Sequence, residues 1–382
     1  MLLYALAAFG IAVQLGGLAA FVGFAFLKRA DTSRMKDFPG VTILKPCFGI
    51  EDSEASNYHG FFTQDYPGPI QLLFVASRET DPAVGLVREF LAKYPNVDAE
   101  LVISTTRNSY WGKIDAVYDG IQKAKHDHLI ISDSDVHVES GYVKEMVASL
   151  QEPGVSLVSS PQFDYGANTL GSGLKIANNC DTAALMVGYY AIMPVKKLSI
   201  GHSIGFRLSE FHTLGADRWD VINTFLAEDM AYAYLFTRAG KQAVLRNIYC
   251  PVSFSNKTVG QTHAQKVRWL LNQKMVMPNR AVYLTGLLLY PEIAALFTLD
   301  WRMFAAACGA RLLVSLVTEA TYFKSIRSTL RYGWMIPLWD LAQLYYFAIG
   351  FFKTTITYGG REYRVVRHAF LEEIKRPPTD GA

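Results

Sequence analysis

Two aspartates, Asp133 and Asp135, are separated by a single residue and directly follow the apolar run at residues 128–132. Carboxylates at this spacing can share a hard cation such as Mg²⁺ or Mn²⁺, which prefers oxygen ligands and keeps positions for water and substrate phosphates. The alternative interpretation is a solvated turn or a helix cap, where aspartate is also common. The position of the pair at the end of a predicted strand favours the metal site.

A second acidic pair, Glu228 and Asp229, comes just before a predicted helix at residues 230–239. A carboxylate at a helix N-terminus is usually a cap, which the helix dipole stabilises. In the functional interpretation, Asp229 is a general base, and such a base must be ionised and close to a nucleophilic hydroxyl. The residues alone leave both interpretations open.

Gln265, Arg268 and Trp269 form an unusual polar and aromatic cluster. On a helix, Gln265 lies beside the other two, because they follow it by three and four residues. The planar guanidinium of an arginine can clamp a diphosphate, and tryptophan favours a site that is half apolar and half wet. The alternative is an amphipathic helix lying on a membrane surface.

Lys113 stands at the start of a predicted helix and could balance phosphate charge, although an exposed helix-end lysine is the simpler interpretation. The chain contains neither a Gly-x-Gly-x-x-Gly loop nor a P-loop. Phosphate binding through a metal ion is therefore the more economical hypothesis.

The elements that must position these residues alternate between short β-branched runs and helical periodicities. This order predicts a doubly wound, mostly parallel α/β sheet, in which ligands bind beyond the carboxyl ends of the strands. Residues 77–81 and 133–135 both follow such ends. The predicted strands are residues 41–45, 70–76, 99–104, 128–132 and 155–159, and the predicted helices between them are residues 81–94, 114–124 and 141–150.

The apolar residues are concentrated towards the two ends of the chain, on either side of the predicted sheet. The chain has 382 residues, of which 51% are hydrophobic and only 19% charged, so it is more apolar than an ordinary soluble domain. A net charge of +3 without a basic block makes nucleic acid a poor partner. Four scattered cysteines without a Cys-x-x-Cys pair favour a reducing compartment.

The first apolar segment, residues 3–27, is long enough to span a bilayer as a helix. Its positive charges, Lys28 and Arg29, follow it, which favours an uncleaved anchor over a signal peptide and puts residue 28 onward in the cytoplasm. Three further apolar stretches cover residues 281–299, 303–323 and 334–358. The second carries Arg311 and Glu319, which we expect to face protein, water or an interface rather than lipid.

Basic residues after position 360 favour a cytoplasmic tail, but four full spans from an outside N-terminus would put the tail outside. Residues 281–299 are therefore our candidate for a re-entrant or interfacial segment. The predicted organisation is an anchor at residues 1–29, a cytoplasmic sheet domain at 38–280, membrane or interfacial helices at 281–360 and a basic tail at 361–382.

In this order, the motifs resemble those of the ceramide glucosyltransferase family, which are inverting glycosyltransferases of the GT-A fold, and those of the related bacterial hopanoid sugar transferases. Five stretches resemble that family's segments, and the ordered series covers roughly residues 1–360. They are residues 41–46, 61–67, 93–99, Ala227 to Asp229, and Gln265 with Arg268 and Trp269. Asp81, Lys113 and Asp133 also fit single family positions, whereas residues 160–225 match poorly.

The resemblance implies a role for each residue. Asp81 would hold the uridine end of a UDP-sugar, Asp133 and Asp135 would bind Mg²⁺ or Mn²⁺ with the diphosphate, and Asp229 would deprotonate the lipid hydroxyl. Direct attack by that hydroxyl would invert the sugar. Donor binding would be completed by Lys113, Gln265, Arg268 and Trp269. Ceramide is the favoured acceptor over a hopanoid or another membrane alcohol, and the donor sugar is expected to be glucose.

Two other classes remain as alternatives. A processive polysaccharide synthase also uses a Gln-x-x-Arg-Trp motif, but it generally needs more transmembrane helices than these apolar stretches supply. A membrane scaffold with a degenerate transferase fold would not need an intact acidic set.

Overall fold

The structure is a computed structural model that describes residues 1–27, 30–50, 53–106, 112–192, 198–215, 222, 227–276, 280–358, 361–366 and 371–375. Four of the charges used for the topology prediction, Lys28, Arg29, Arg367 and Arg376, lie outside these residues. The chain divides into two compact units. The sheet unit comprises Lys28–Tyr165 and Pro194–Ser253, and the helical unit comprises Met1–Leu27, Gly166–Met193 and Phe254–Ala382.

The sheet unit is built on a seven-stranded sheet, as far as the described residues show. The strands of this unit, including a small β6–β9 pair outside that sheet, are β1 (Val41–Cys47), β2 (Ile70–Ala76), β3 (Asp98–Ile103), β4 (His128–Ser132), β5 (Val155–Ser159), β6 (Asp164–Tyr165), β7 (Ser203–Arg207), β8 (Gln242–Leu245) and β9 (Val252–Ser253). The strand order in the sheet is β3-β2-β1-β4-β7-β5-β8. All neighbouring strands are parallel except β7, which is antiparallel to β4 and β5. The predicted doubly wound, mostly parallel sheet is confirmed.

Local sequence explains why these elements form. The central strands are buried along nearly their whole length, so they read as continuous apolar runs, as expected when helices cover both faces. The helix Pro82–Lys93 begins with Asp81 as its N-cap and proline in its first turn. The other helices of this unit that the described residues define in full are Thr32–Arg34 (a 3₁₀ turn), Glu54–Phe62, Gly112–Ile121, Tyr142–Leu150, Leu208–Thr213 and Glu228–Arg238.

The helical unit contains the N-terminal helix Leu2–Leu27, the segment Gly166–Met193 and the chain from Phe254 onward. A π-helix, Asp181–Val187, packs closely on the N-terminal helix, where a Cβ at Gly17 would lie only 2.0 Å from the carbonyl oxygen of Ala184. The last strands, β10 (Thr355–Tyr358), β11 (Arg361–Val365) and β12 (Leu371–Lys375), form an antiparallel sheet. The other helical segments are Leu170–Gly173, Lys175–Cys180, Gly188–Ile192, Val259–Val276, Arg280–Thr285, Gly286–Leu289, Pro291–Phe297, Trp301–Tyr322, Arg327–Tyr332, Gly333–Met335 and Ile336–Phe352.

Three helical stretches among the described residues are long and apolar enough to cross a membrane, namely Leu2–Leu27, Trp301–Tyr322 and Arg327–Phe352. The predicted apolar N-terminal helix is confirmed. In the region predicted to be re-entrant, the segments Arg280–Leu289 and Pro291–Phe297 meet at 80°. A bend of this size is compatible with a re-entrant loop or with a broken span.

Arg311 and Glu319, which the sequence predicts to face protein, water or an interface rather than lipid, are both buried within the protein. Arg311 has no exposed surface and donates to both carboxylate oxygens of Asp340, at 2.6 and 2.9 Å. It also donates to Asp181 at 2.9 Å and to the side-chain oxygen of Gln14 at 3.0 Å. An unpaired charge in an apolar surrounding is costly, so the burial of Arg311 depends on these partners. The resulting network connects four helical segments of the unit.

Candidate active site

The acidic pair lies immediately beyond the carboxyl end of β4, at the edge where ligands bind in parallel α/β sheets. The backbone N–H of Asp133 donates to the carbonyl oxygen of His202 at 2.9 Å, and the N–H of Ser253 donates to the carbonyl oxygen of Asp135 at 2.8 Å. Both aspartates are partly exposed. The turn is therefore held by its backbone, which leaves two carboxylates with access to solvent.

Lys113 connects the two acidic pairs of the sequence. Its ammonium nitrogen lies 2.6 Å from Oδ1 of Asp133 and 2.5 Å from Oε1 of Glu228, and it donates to the carbonyl oxygen of Gly201 at 3.4 Å. Burial lowers the pKa of Lys113, but attraction by Asp133 and Glu228 outweighs burial and raises this pKa well above its usual range. Lys113 is thus a permanent cation between two carboxylates from distant parts of the chain.

Asp229 lies in the first turn of the helix Glu228–Arg238, where its Oδ1 accepts from the N–H of Met230 at 2.9 Å. A Cβ built on Gly201 would lie 3.2 Å from the Cβ of Asp229, so a glycine permits this close approach. Burial, followed by repulsion from Glu228, raises the pKa of Asp229 to about 7. A carboxyl group with this pKa can accept a proton near neutral pH, which a general base must do.

Asp81 follows β2 but serves locally as a helix cap. Its Oδ1 accepts from the N–H of Ala83 and from the N–H of Gly49, both at 2.9 Å. Gly49 adopts a φ of +70°, a conformation that glycine tolerates best. The contact with uridine expected for Asp81 stays a prediction.

Gln265, Arg268 and Trp269 lie on one helix, Val259–Val276, as predicted. The helix belongs to the helical unit, and the ammonium of Lys175 lies 4.2 Å from the ring centre of Trp269. All three side chains are partly exposed. Their expected roles in binding the donor and the acceptor stay predictions, as does their convergence with the acidic residues.

Sequence reasoning missed three residues beside the acidic turn. Glu228 was seen only as part of a motif, although it holds Lys113. His202 is buried, and burial together with Lys113 lowers its pKa to about 3. Lys45 is buried in β1 and donates to the carbonyl oxygen of Asp133 at 2.8 Å, while burial lowers its pKa to about 8. A lysine inside an otherwise apolar strand was the one signal in the sequence that could have revealed such a contact.

The donor atoms at the acidic turn are suited to a hard divalent ion that is shared with a substrate. Within the described residues, no group of three or more His, Cys, Asp or Glu side chains could hold a metal. Asp133 and Asp135 would supply one or two carboxylates, and phosphates and water would supply the remaining ligands, which is the usual arrangement for Mg²⁺. The residues present therefore fit a metal that arrives with a nucleotide.

Comparison with known proteins supports a defined class of enzyme. The family model described as glycosyl transferase family 21 matches residues 2–369. A ceramide glucosyltransferase from Candida albicans is 34% identical over 124 residues, which are 30% of this chain and 23% of that protein. Ceramide glucosyltransferase 1 from Caenorhabditis elegans is 22% identical over 249 residues, which are 64% of this chain and 52% of that protein. The matches thus span between a quarter and about half of these relatives.

Among solved structures, a mannosyltransferase from Pyrobaculum calidifontis in complex with GDP-Man and Mn²⁺ is 17% identical. The match covers 90% of this chain and 98% of that one, with a TM-score of 0.48.

The doubly wound sheet with an acidic pair beyond β4 is the GT-A type of glycosyltransferase domain that the sequence predicted. Because the family model covers nearly the whole chain, this protein belongs to glycosyl transferase family 21.

Proposed function

We propose that this protein transfers a sugar from a UDP-sugar to the hydroxyl of a membrane lipid, with glucose as the favoured sugar and a ceramide-like lipid as the favoured acceptor. The observation that carries the proposal is the grouping of Lys113, Asp133 and Glu228 beside Asp229 at the carboxyl-end edge of the sheet. The names of the relatives support the choice of sugar and acceptor.

Asp229 acts as the general base in this proposal. Its raised pKa leaves the carboxylate basic enough to take the proton of an acceptor hydroxyl, and attack by that oxygen on the far side of the anomeric carbon inverts the sugar. The N–H of Met230 donates to one carboxylate oxygen of Asp229 and helps to orient this side chain.

The leaving nucleotide develops negative charge, which cations must stabilise. A divalent metal held by Asp133 and Asp135 would supply Lewis-acid stabilisation of the diphosphate when it is bound. Lys113 supplies a fixed positive charge next to Asp133. Arg268, with Gln265 and Trp269, is proposed to bind the diphosphate and to border the acceptor entrance, and Asp81 is proposed to bind the uridine.

The apolar helices support a reaction that takes place at a membrane. We propose that the protein is multi-pass and that its sheet unit faces the cytoplasm, where nucleotide sugars are made. Three helical stretches of suitable length and composition in the described residues support membrane attachment. The buried cysteines Cys47, Cys180 and Cys250, which form no disulfide in the described residues, agree with a reducing compartment.

The test uses purified full-length protein in detergent or in lipid vesicles. UDP-glucose, Mn²⁺ and ceramide should release UDP and yield a glycosylated lipid whose anomeric configuration, read by NMR, is opposite to that of the donor. UDP-galactose and GDP-mannose test the sugar and the nucleotide, and a hopanoid tests the acceptor. The proposal fails if no pairing of a nucleotide sugar with a membrane lipid gives turnover, or if the product is a polymer.

Asp229→Asn is the diagnostic variant for the base. It should lower turnover by roughly 10²- to 10⁴-fold, the usual contribution of a general base. Asp98→Asn is the matched control, since Asp98 lies at the exposed start of the edge strand β3, where it pairs with Lys125. Equal activity of the two variants would remove the role assigned to Asp229.

A further inference from the structure

Lys45 is a charged residue at a position where the fold would accept an apolar one. It lies in β1, most of whose residues are buried, and only 1% of its own surface is exposed. Its ammonium nitrogen lies 3.6 Å from the ring centre of Phe61. Among the described residues, it makes no ion pair within 4 Å. A buried ammonium is costly without compensation, so Lys45 needs a specific partner in the folded protein.

That partner is the backbone of the acidic turn. The ammonium of Lys45 donates to the carbonyl oxygen of Asp133 at 2.8 Å, and the same oxygen accepts from the N–H of Val136 at 3.3 Å. Two other backbone hydrogen bonds hold the turn, since the N–H of Asp133 donates to the carbonyl oxygen of His202 and the N–H of Ser253 donates to that of Asp135. Lys45 therefore completes the support of the peptide unit that joins the two halves of the turn.

The charge of Lys45 matters as well as its hydrogen bond. The carboxylates of Asp133, Asp135 and Glu54 all act electrostatically on its ammonium. A buried cation near two carboxylates reduces their mutual repulsion without occupying the solvent-exposed side of the turn. A neutral side chain could provide neither this charge nor the same strength of hydrogen bond.

We propose that Lys45 is a positioning residue, which orients the Asp133–Asp135 turn so that both carboxylates face a metal–nucleotide complex. This inference rests on the proposed function of the acidic pair. In this proposal Lys45 contacts neither the donor nor the metal, because its side chain is buried. It acts on the turn through its hydrogen bond to the backbone oxygen of Asp133.

The experiment measures binding of UDP to the full-length protein by calorimetry, at increasing Mn²⁺ and without metal. Lys45→Met keeps the length of the side chain and removes both charge and donor. Thr42→Val is the matched control, since Thr42 is buried in the same strand but hydrogen-bonds Gln71, away from the site. Lys45→Gln, which keeps a donor without charge, serves as a second variant if the methionine variant folds poorly. Thermal unfolding monitors the fold of each variant.

In Lys45→Met we expect the Mn²⁺ concentration that gives half-maximal UDP binding to rise roughly tenfold or more, the scale of a lost hydrogen bond from a charged group. UDP binding without metal should not change. The KM for the UDP-sugar at limiting Mn²⁺ should rise more than kcat falls at saturating Mn²⁺. Thr42→Val should bind like the wild type even if its Tm falls.

A wild-type Mn²⁺ midpoint in folded Lys45→Met or Lys45→Gln would overturn the inference while leaving the proposed function intact. An equal loss in Thr42→Val would also overturn it, because the effect would then reflect the strand as a whole. If the wild-type protein binds no UDP with either Mn²⁺ or Mg²⁺, the proposed function fails and this inference fails with it.

Discussion

The ammonium nitrogen of Lys113 lies 2.5 Å from a carboxylate oxygen of Glu228, the immediate neighbour of Asp229. A single cation therefore connects the residue next to the proposed base with Asp133, whose carboxylate it also pairs at 2.6 Å. Charge changes at any of these residues should be felt by the others, since the group is partly shielded from water.

The pH dependence of turnover should report Asp229. Because its pKa is raised to about 7 and a base must be deprotonated to act, kcat/KM should be low at pH 5, rise through about pH 7 and level off above it. Initial rates at subsaturating UDP-sugar between pH 5 and 9 provide the measurement. A profile that is flat across this range would contradict the assignment.

Glu228→Gln should move this rise to lower pH. Repulsion from Glu228 raises the pKa of Asp229, so removal of that negative charge stabilises the ionised form of Asp229 and lowers its pKa. The same measurement of kcat/KM against pH applies. Glu152→Gln, which alters a carboxylate paired with Arg246 elsewhere in the unit, should leave the midpoint unchanged. A shift of the midpoint upward would show that the direction of the coupling is wrong.

Asp229→Asn should be more stable than the wild type at neutral and alkaline pH, although we expect its turnover to be much lower. The raised pKa means that the folded protein resists ionisation of Asp229, so the wild type loses stability as pH rises from the unfolded-state pKa near 4 through about 7. An amide has no such penalty. Thermal unfolding should therefore show a Tm a few degrees higher for the variant at pH 8.

The difference between these two proteins should vanish near pH 4, since Asp229 is then protonated in the folded wild type. If the variant is less stable than the wild type at both pH values, the carboxylate stabilises the fold rather than straining it.

Arg311→Met should destabilise the helical unit strongly. The substitution leaves Asp340, which has no exposed surface, without its cation, and breaking a buried ion pair from one side costs roughly 3–5 kcal/mol. We expect a lower Tm in detergent and less folded protein in membranes. Arg302→Met, at an exposed position near the start of the same helix, is the control. Combining Arg311→Met with Asp340→Asn should recover part of the loss, and a double variant worse than both singles would argue against the pairing.

Local sequence was enough to predict much of the sheet unit. Five strands follow from apolar runs bounded by turn residues, and the helix after Asp81 follows from a capping residue, a proline and an apolar stripe. Such signals depend on neighbours within one turn or one strand, so they can be recognised without knowledge of the fold. The same reasoning correctly placed Asp133 and Asp135 beyond the carboxyl end of a strand.

The class of sheet and the apolar N-terminal helix could thus be predicted from local sequence, as could the expectation that Arg311 does not face lipid, because periodicity and the cost of charge in an apolar surrounding are local properties. The antiparallel insertion of β7 between β4 and β5 could be seen only in the tertiary structure, since the partners of β7 lie far away in the chain. The same holds for the ion pair of Lys113 with Glu228 and the hydrogen bond from Lys45 to Asp133. These contacts join residues that are 115 and 88 positions apart, so no periodic pattern in the sequence reveals them.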